Sequence, residues 1–292
     1  MDQKSILSII ISYNDFENTH ITVESLLKQT IKTKIVVWDN NSKDGTVEKL
    51  NNMFGDSIIV HASDENMYWT PAINAAFSKY YDGEQIIHYS NNDITYPDES
   101  LERMVKDLIE TNAGAVGPTG SAIGGMQDHI IHHPEDRNFS SREEFLALIK
   151  NRPPTRASSL QGACILMRAE SFKLMGPLDN AMPLGADDFD TSIRIKSMGL
   201  PLFVSQSGYV NHVGHASGQG NEKTWSDLGD QSWDWFNKKW SGFYFNEVEA
   251  LKCMWAHEYH YGWDYGTGWM DEESRLKVWH ARGVNYDGSP IQ

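Results

Sequence analysis

The 292-residue chain carries 25 lysine and arginine residues against 40 aspartate and glutamate, a formal charge of −15. So acidic a chain is a poor electrostatic partner for nucleic acid or an anionic membrane. With 40% hydrophobic and 22% charged residues, the composition excludes a disordered chain and fits a folded globular one.

Strand-like and helix-like segments alternate through the first half. Residues 5–12 (SILSIIIS) form a short apolar run, too short to span a bilayer and lacking a small-residue cleavage site, so they read as a buried strand. A polar helical stretch follows, with Ile21, Leu26 and Leu27 as its apolar positions. Residues 34–38 (KIVVW) read as a second strand ending in Asp39, and the next helix places Val47, Leu50, Met53 and Phe54 on one face. Further strands are predicted at 57–61 and 85–89. Pro97 then precedes a stripe of Leu101, Met104, Val105, Leu108 and Ile109 at helical offsets. A strand starts at 113–117, and 129–157 is an excursion with one short helix around 142–149. A strand at 160–167, a helix at 187–198 and a strand at 201–204 complete the regular part. Alternation of this kind predicts a mostly parallel twisted sheet flanked by helices, with ligands beyond the carboxyl ends of the strands. Asp39 and Asp93 follow two such strands, so both are expected at one edge.

Beyond residue 217 the composition changes: eight of ten tryptophans fall after residue 220. Residues 1–218 are therefore expected to form the main domain, and 219–292 an aromatic-rich C-terminal extension packed on it. Most of its aromatic residues are expected to be core, with a minority available to line an acceptor cleft. Cys164 and Cys253 fit neither a zinc nor a disulfide framework. Neither His129, His132 and His133 nor the HEYH at 257–260 has zinc-site spacing. The absence of a leader or an apolar span predicts a cytoplasmic protein.

Four features can carry chemistry. Asp39 in VVWDNNSKDGT is either a cap for nearby amides or a ligand contact. Asp93 in HYSNNDITYPD is either a turn residue or a hard oxygen ligand for Mg²⁺ or Mn²⁺. Asp187-Asp188-Phe189-Asp190 opens a helix, where the dipole favours acids, yet three acids exceed what capping needs. His212 in YVNHVGHAS is either a satisfied histidine or a metal ligand.

Taken in order, SIIISYND, VVWDNNSKDGT, ENMYWTPAIN, SNNDITYPDESL, QGACILMRAESFKLMGPLD, GADDFDTSIRIKSMGL and NHVGHASG resemble glycosyltransferase family 2. These are inverting enzymes of the GT-A fold, and the likeness is greatest to their rhamnosyltransferase-like branch. The resemblance covers roughly residues 5–218. It implies that Tyr13, Asn14 and Asp39 line a pocket for the base and ribose of a nucleotide-sugar donor. Asn91, Asn92 and Asp93 stand at the Asp-x-Asp-like motif, with Asp93 on Mn²⁺ or Mg²⁺ and the diphosphate. Asn66 and Asn74 fill the slots of an Asn-x-Gly…Asn block. His212 matches the histidine that completes the metal site, and Asp188 matches the general base.

Three departures stand out. Asn91 replaces an aspartate, Asp187 replaces a glutamate, and Tyr68 and Pro71 occupy a stretch where many members carry glycine. The implied activity is metal-dependent, inverting transfer of a sugar from a donor, UDP or dTDP first, to a hydroxyl of a glycan, glycolipid or protein acceptor. The rivals are a silent carbohydrate- or nucleotide-binding protein of the same fold and a nucleotidyltransferase. The second would need a glycine-rich basic loop that SIIISYND lacks. A dinucleotide-dependent oxidoreductase is disfavoured because no G-x-G-x-x-G follows the first strand.

Overall fold

Parity along the first strand sets the layering. The computed structural model describes residues 4–123, 127, 142–214 and 225–240. In β1 (Ile6–Ser12) all seven residues are buried, the signature of a strand covered on both faces. Leu7, Ile9 and Ile11 enter one core layer and Ile6 and Ile10 the other. Ser8 and Ser12 share the second face by the same period of two. In β2 (Lys34–Asp39) and β4 (Ile86–Asn91) the same alternation places Val36, Trp38, Ile87 and Tyr89 in the first layer.

The sheet runs β3-β2-β1-β4-β8-β6-β9-β5, with β7 also paired to β9. Here β3 is Ile59–Ala62, β5 Ile94–Thr95, β6 Ala115–Ser121, β7 Thr155–Ala157, β8 Cys164–Arg168 and β9 Leu202–His212. Strands β1 to β4 are mutually parallel, as are β6 and β9, while β8 lies antiparallel between β4 and β6. The expected mostly parallel, helix-flanked sheet is therefore present. Register levels the strand ends: Ser12 lies beside Asp39, and Ile11 beside Asn91. Because β8 is inverted, its amino end meets the same edge, where the Asn91 amide donates to the Ala163 carbonyl (2.9 Å).

The helices are α1 (Phe16–Leu27), α2 (Thr46–Phe54), α3 (Thr70–Tyr80), α4 (Ser100–Glu110), α5 (Arg142–Ile149), α6 (Ala169–Met175), α7 (Asp187–Ser197) and α8 (Trp225–Trp240). Asp15 caps α1 by accepting from the Asn18 amide (3.2 Å), and Pro71 sits in the first turn of α3. The predicted stripe of α4 buries Leu101, Met104, Val105 and Leu108, with Ile109 packed against them.

Several expectations need correction. Helices α3 and α6 were not predicted, because their buried faces rely on small residues such as Ala72, Ala76 and Ala169. Ile21 is exposed; α1 instead buries Thr19, Thr22, Val23, Ser25 and Leu26. Met53 is also exposed, leaving Leu50 as the fully buried apolar residue of α2. The strand expected from 57 begins at Ile59, after a tight turn over Gly55–Ser57. The strand expected at 160–167 begins only at Cys164, and the one expected at 201–204 continues to His212. The domain boundary expected at 218 lies outside the described residues, as do His129, His132, His133, Cys253 and residues 257–260. Helix α8 belongs to the tryptophan-rich stretch. It packs Trp233, Phe236 and Trp240 on Met182, Ala186, Phe189 and Ile193.

The two faces of α2 give a direct test. Leu50→Ala should cost about 2–5 kcal/mol of unfolding free energy, and Met53→Ala no more than about 0.5 kcal/mol. Urea denaturation of the two variants reads the difference.

Candidate active site

The levelled strand ends open into a cleft of about 220 Å³. Tyr13, Asn66, Asn91, Asn92, Asp93 and Asp188 line it, together with Asn40, Tyr68, Trp69, Gln161, Gly162 and Asp187. A larger hollow of about 650 Å³ lies at the opposite ends of the strands, around Gln85, Ile86 and Arg168. It contains none of the predicted site residues.

Two predicted donor-site residues act as scaffold. Asp39 is buried, and its carboxylate accepts from the Ser42 amide (2.8 Å) and hydroxyl (2.6 Å). Burial raises its pKa despite those bonds. Asn14 accepts from the Lys43 amide (2.7 Å), and its own amide donates to the Ser42 hydroxyl (2.8 Å). Together they clip the loop after β1 to the loop after β2, leaving Tyr13 and Asn40 to face the cleft. Asn74 does not line the cleft. Its side chain donates to the Leu178 carbonyl (2.8 Å) and accepts from the Leu178 amide (2.9 Å). A helix residue that pairs with both backbone groups of one loop residue holds that loop.

His212 meets Asp93 because β9 runs further than its apolar residues predict, pairing Ile94 with His212. Its Nδ1 lies 2.8 Å from the Ala122 carbonyl, which can only accept, so Nδ1 carries the proton. Nε2 then faces Asp93 Oδ1 at 3.2 Å, with the Asn91 amide nitrogen at 3.1 Å. A neutral Nε2 lone pair against a carboxylate oxygen is a contact that wants a proton or a metal cation between. A backbone carbonyl on the far ring nitrogen is also the usual way a metal-binding histidine is oriented. Burial depresses the His212 pKa, but the bond and charge of Asp93 and the Ala122 carbonyl outweigh it and hold the pKa above the ordinary value. The donor set therefore fits a divalent cation. Among the described residues no group of three or more histidine, cysteine or acidic side chains can hold a metal. A Mg²⁺-like ion needs only one or two carboxylates when substrate phosphates complete its shell.

On the other lip, α7 opens with the two acids. Asp188 accepts from the Phe189 amide (2.9 Å) and the Gly162 amide (3.3 Å). Burial outweighs these bonds and lifts its pKa to about 6. Asp187 is pushed well above the carboxylate range by burial and then by the charge of Asp188, eased in part by the Trp69 indole. Burial thus makes Asp188 a more basic carboxylate than usual and favours the neutral form of Asp187 beside it.

Backbone strain gathers here as well. Asn14, Tyr68, Ala122 and Ala186 all have positive φ, a conformation costly for side-chain-bearing residues and found where a site over-determines the chain. Tyr68, at +61°, stands where the resemblance leads one to expect glycine. Its backbone is held by Asn40, which donates to the Tyr68 carbonyl (2.9 Å) and accepts from the Met67 amide (3.2 Å). Sequence reading missed Asn40, Trp69, Gln161 and Gly162 as lining residues. The only trace was their place beside strand ends.

The sheet, the strand-end cleft and the two acidic lips define a GT-A glycosyltransferase fold. Solved structures share this fold: the chain superimposes on a GalNAc-T7 structure with UDP, GalNAc and Mn²⁺ at a TM-score of 0.66, with 14% identity, covering 99% of this chain and 56% of that one. Likewise, the mannosyltransferase PcManGT from Pyrobaculum calidifontis, in complex with GDP-Man and Mn²⁺, gives 0.55, with 15% identity, 95% of this chain and 68% of that one. The family described as Glycosyl transferase family 2 matches residues 8–176, and the chain belongs to it. A curated relative, the O-antigen biosynthesis protein RfbC of Myxococcus xanthus, is 25% identical over 224 residues, 70% of this chain. The match spans 17% of that protein's length. No helix among the described residues is long and apolar enough to cross a membrane.

The acid pair predicts a pH signature. A carboxyl raised in the folded state stabilises fully below its unfolded pKa of 3.8, and that contribution is lost as pH rises through about 6. Asp188→Asn should therefore gain stability relative to wild type between pH 4 and pH 7.5. Denaturation midpoints of both proteins across that range measure it.

Proposed function

We propose that the chain is a divalent-metal-dependent, inverting glycosyltransferase. It moves a sugar from a nucleoside-diphosphate donor, UDP or dTDP first, to a hydroxyl of a glycan, glycolipid or protein acceptor. The observation that carries this reading is that Asp93 and Asp188 line one cleft, with His212 Nε2 held 3.2 Å from Asp93 Oδ1. The structural neighbours, which hold UDP or GDP-Man with Mn²⁺, and the O-antigen relative support it.

Asp93 and His212 would hold the cation, with Asn91 beside them, and Tyr13 and Asn66 would contact the nucleoside. Bound there, a divalent cation would neutralise charge gathering on the departing diphosphate as a Lewis acid. Asp188 accepts the proton of the acceptor hydroxyl as that oxygen attacks the anomeric carbon. The bond to the diphosphate oxygen breaks with its electron pair on that oxygen, so the centre inverts. Burial favours the neutral form of Asp187 beside Asp188, which limits the negative charge the pair must hold. The loop carrying Leu178, held by Asn74, supports the start of α7.

Asp188→Asn should keep nucleotide and Mn²⁺ binding while turnover falls by ~10²–10⁴-fold, the usual worth of a general base. Near wild-type turnover in a coupled nucleoside-diphosphate release assay would remove Asp188 from that role. A thermal-shift panel of UDP, GDP, CDP and dTDP with and without Mn²⁺ tests the donor site. At about 100 times the dissociation constant a bound nucleotide adds ~2.7 kcal/mol. The shift should be largest for UDP or dTDP, need Mn²⁺, and shrink in Asp93→Ala. No shift with any nucleotide would point to the silent-binding reading instead.

A further inference from the structure

Helix α1 carries a stripe of polar side chains on its buried face. Thr19, Thr22 and Ser25, with Gln29 just past the helix end, follow at steps of three, three and four, and all four are buried. A buried helix face is ordinarily apolar, and a buried polar group costs stability unless it is paired. Each member of this stripe is paired with the segment that contains Asp93.

Thr22 shows the principle. Its hydroxyl donates to the Asn92 carbonyl (2.6 Å) and accepts from the Ile94 amide (3.1 Å). One hydroxyl thus pairs with a carbonyl and an amide two residues apart, as a residue on a neighbouring strand would. The backbone groups of α1 are spent within the helix, so only side chains can offer such partners. Thr19 accepts from the Asn92 side chain (2.9 Å), and the Ser25 hydroxyl accepts from the Tyr96 amide (3.1 Å). Gln29 donates to the Pro97 carbonyl (2.9 Å) and accepts from the Leu101 amide (2.9 Å).

Asp93 sits between the two residues that Thr22 grips. From the opposite side, the Val213 amide donates to the Asp93 carbonyl (3.0 Å) and the Gly214 amide to its carboxylate (3.1 Å). We infer that this stripe on α1, with Thr22 at its centre, is a template that fixes the turn at residues 92–93 and the segment through β5 to residue 97, and thereby sets the position of Asp93 for metal and diphosphate. Thr22 is a positioning residue; it does not line the cleft. The inference rests on the glycosyltransferase reading above and adds the device that holds its metal site.

The test measures Mn²⁺-dependent UDP binding by calorimetry, without turnover. Thr22→Val keeps the shape of the side chain and removes the hydroxyl. Supporting groups of metal ligands typically change metal affinity by ~10–100-fold, and a loss in that range is expected. Thr22→Ser should restore binding to within about threefold of wild type, since its hydroxyl can make the same pair of bonds. Ser205→Ala removes another buried hydroxyl, bonded to Asp107 (2.5 Å) away from the cleft, and should leave Mn²⁺ affinity unchanged. If Thr22→Val does not fold, Ser25→Ala takes its place, with a smaller loss expected. Wild-type-like Mn²⁺ affinity in the folded variant would overturn the template alone. Absence of Mn²⁺-dependent binding in the wild-type protein, with every nucleotide of the panel, would overturn the functional reading and this inference with it.

Discussion

A chain that leaves the edge of a buried sheet carries peptide groups with no strand to pair with, and those groups must find partners. At the carboxyl edge of this sheet side chains supply them. Asp39 serves the Ser42 amide, Asn40 serves Met67 and Tyr68, and Thr22 and Ser25 serve the segment around Asp93. Each bond that satisfies the backbone also fixes where a cleft residue stands. The polar residues of the family motifs therefore divide into those that face the cleft and those that hold the first group in place.

Electrostatics within the cleft follow from the same architecture. Placing Asp187 and Asp188 at the start of α7 brings two carboxyls together on the cleft wall, Asp187 buried and Asp188 partly so. The helix dipole favours them there, but burial dominates and raises both pKa values. The site thus accepts a stability cost at neutral pH to hold Asp188 as a more basic carboxylate than usual. On the facing lip, Asp93 and His212 present two lone pairs across 3.2 Å, an arrangement suited to a cation.

Behind the acids, α7 is braced by the aromatic helix α8. Lys239 bridges Asp179 (2.8 Å) and Asp190 (2.7 Å), and the Trp240 indole donates to Asp190 (3.0 Å). Arg194 completes the shell of the buried Asp190 at 2.9 Å. The third acid of the cluster is therefore an anchor for the aromatic helix, while its two neighbours face the cleft. Asp188 and Asp190, two residues apart, take different work because they lie about 200° apart around the helix axis.

The sequence by itself determined the parts that depend on local periodicity and chain order. Apolar alternation located the strands of β1, β2 and β4, helical spacing located α4, and the order of the acidic blocks gave the family. It also put Asp39 and Asp93 at one edge, because parallel strands end together. Tertiary structure alone decided which of the polar residues reach the cleft. Asn14, Asp39 and Asn74 are polar residues like Asn40 and Asn66, and only the packing of the loops around them decides which of them face the cleft. The extension of β9 that brings His212 to Asp93 is set by pairing with β5 and β6, a long-range contact with no local signal. The polar stripe of α1 was invisible for a related reason. Ser, Thr and Gln on a helix read as a solvated face until an extended segment far along the chain is seen to need their hydrogen bonds.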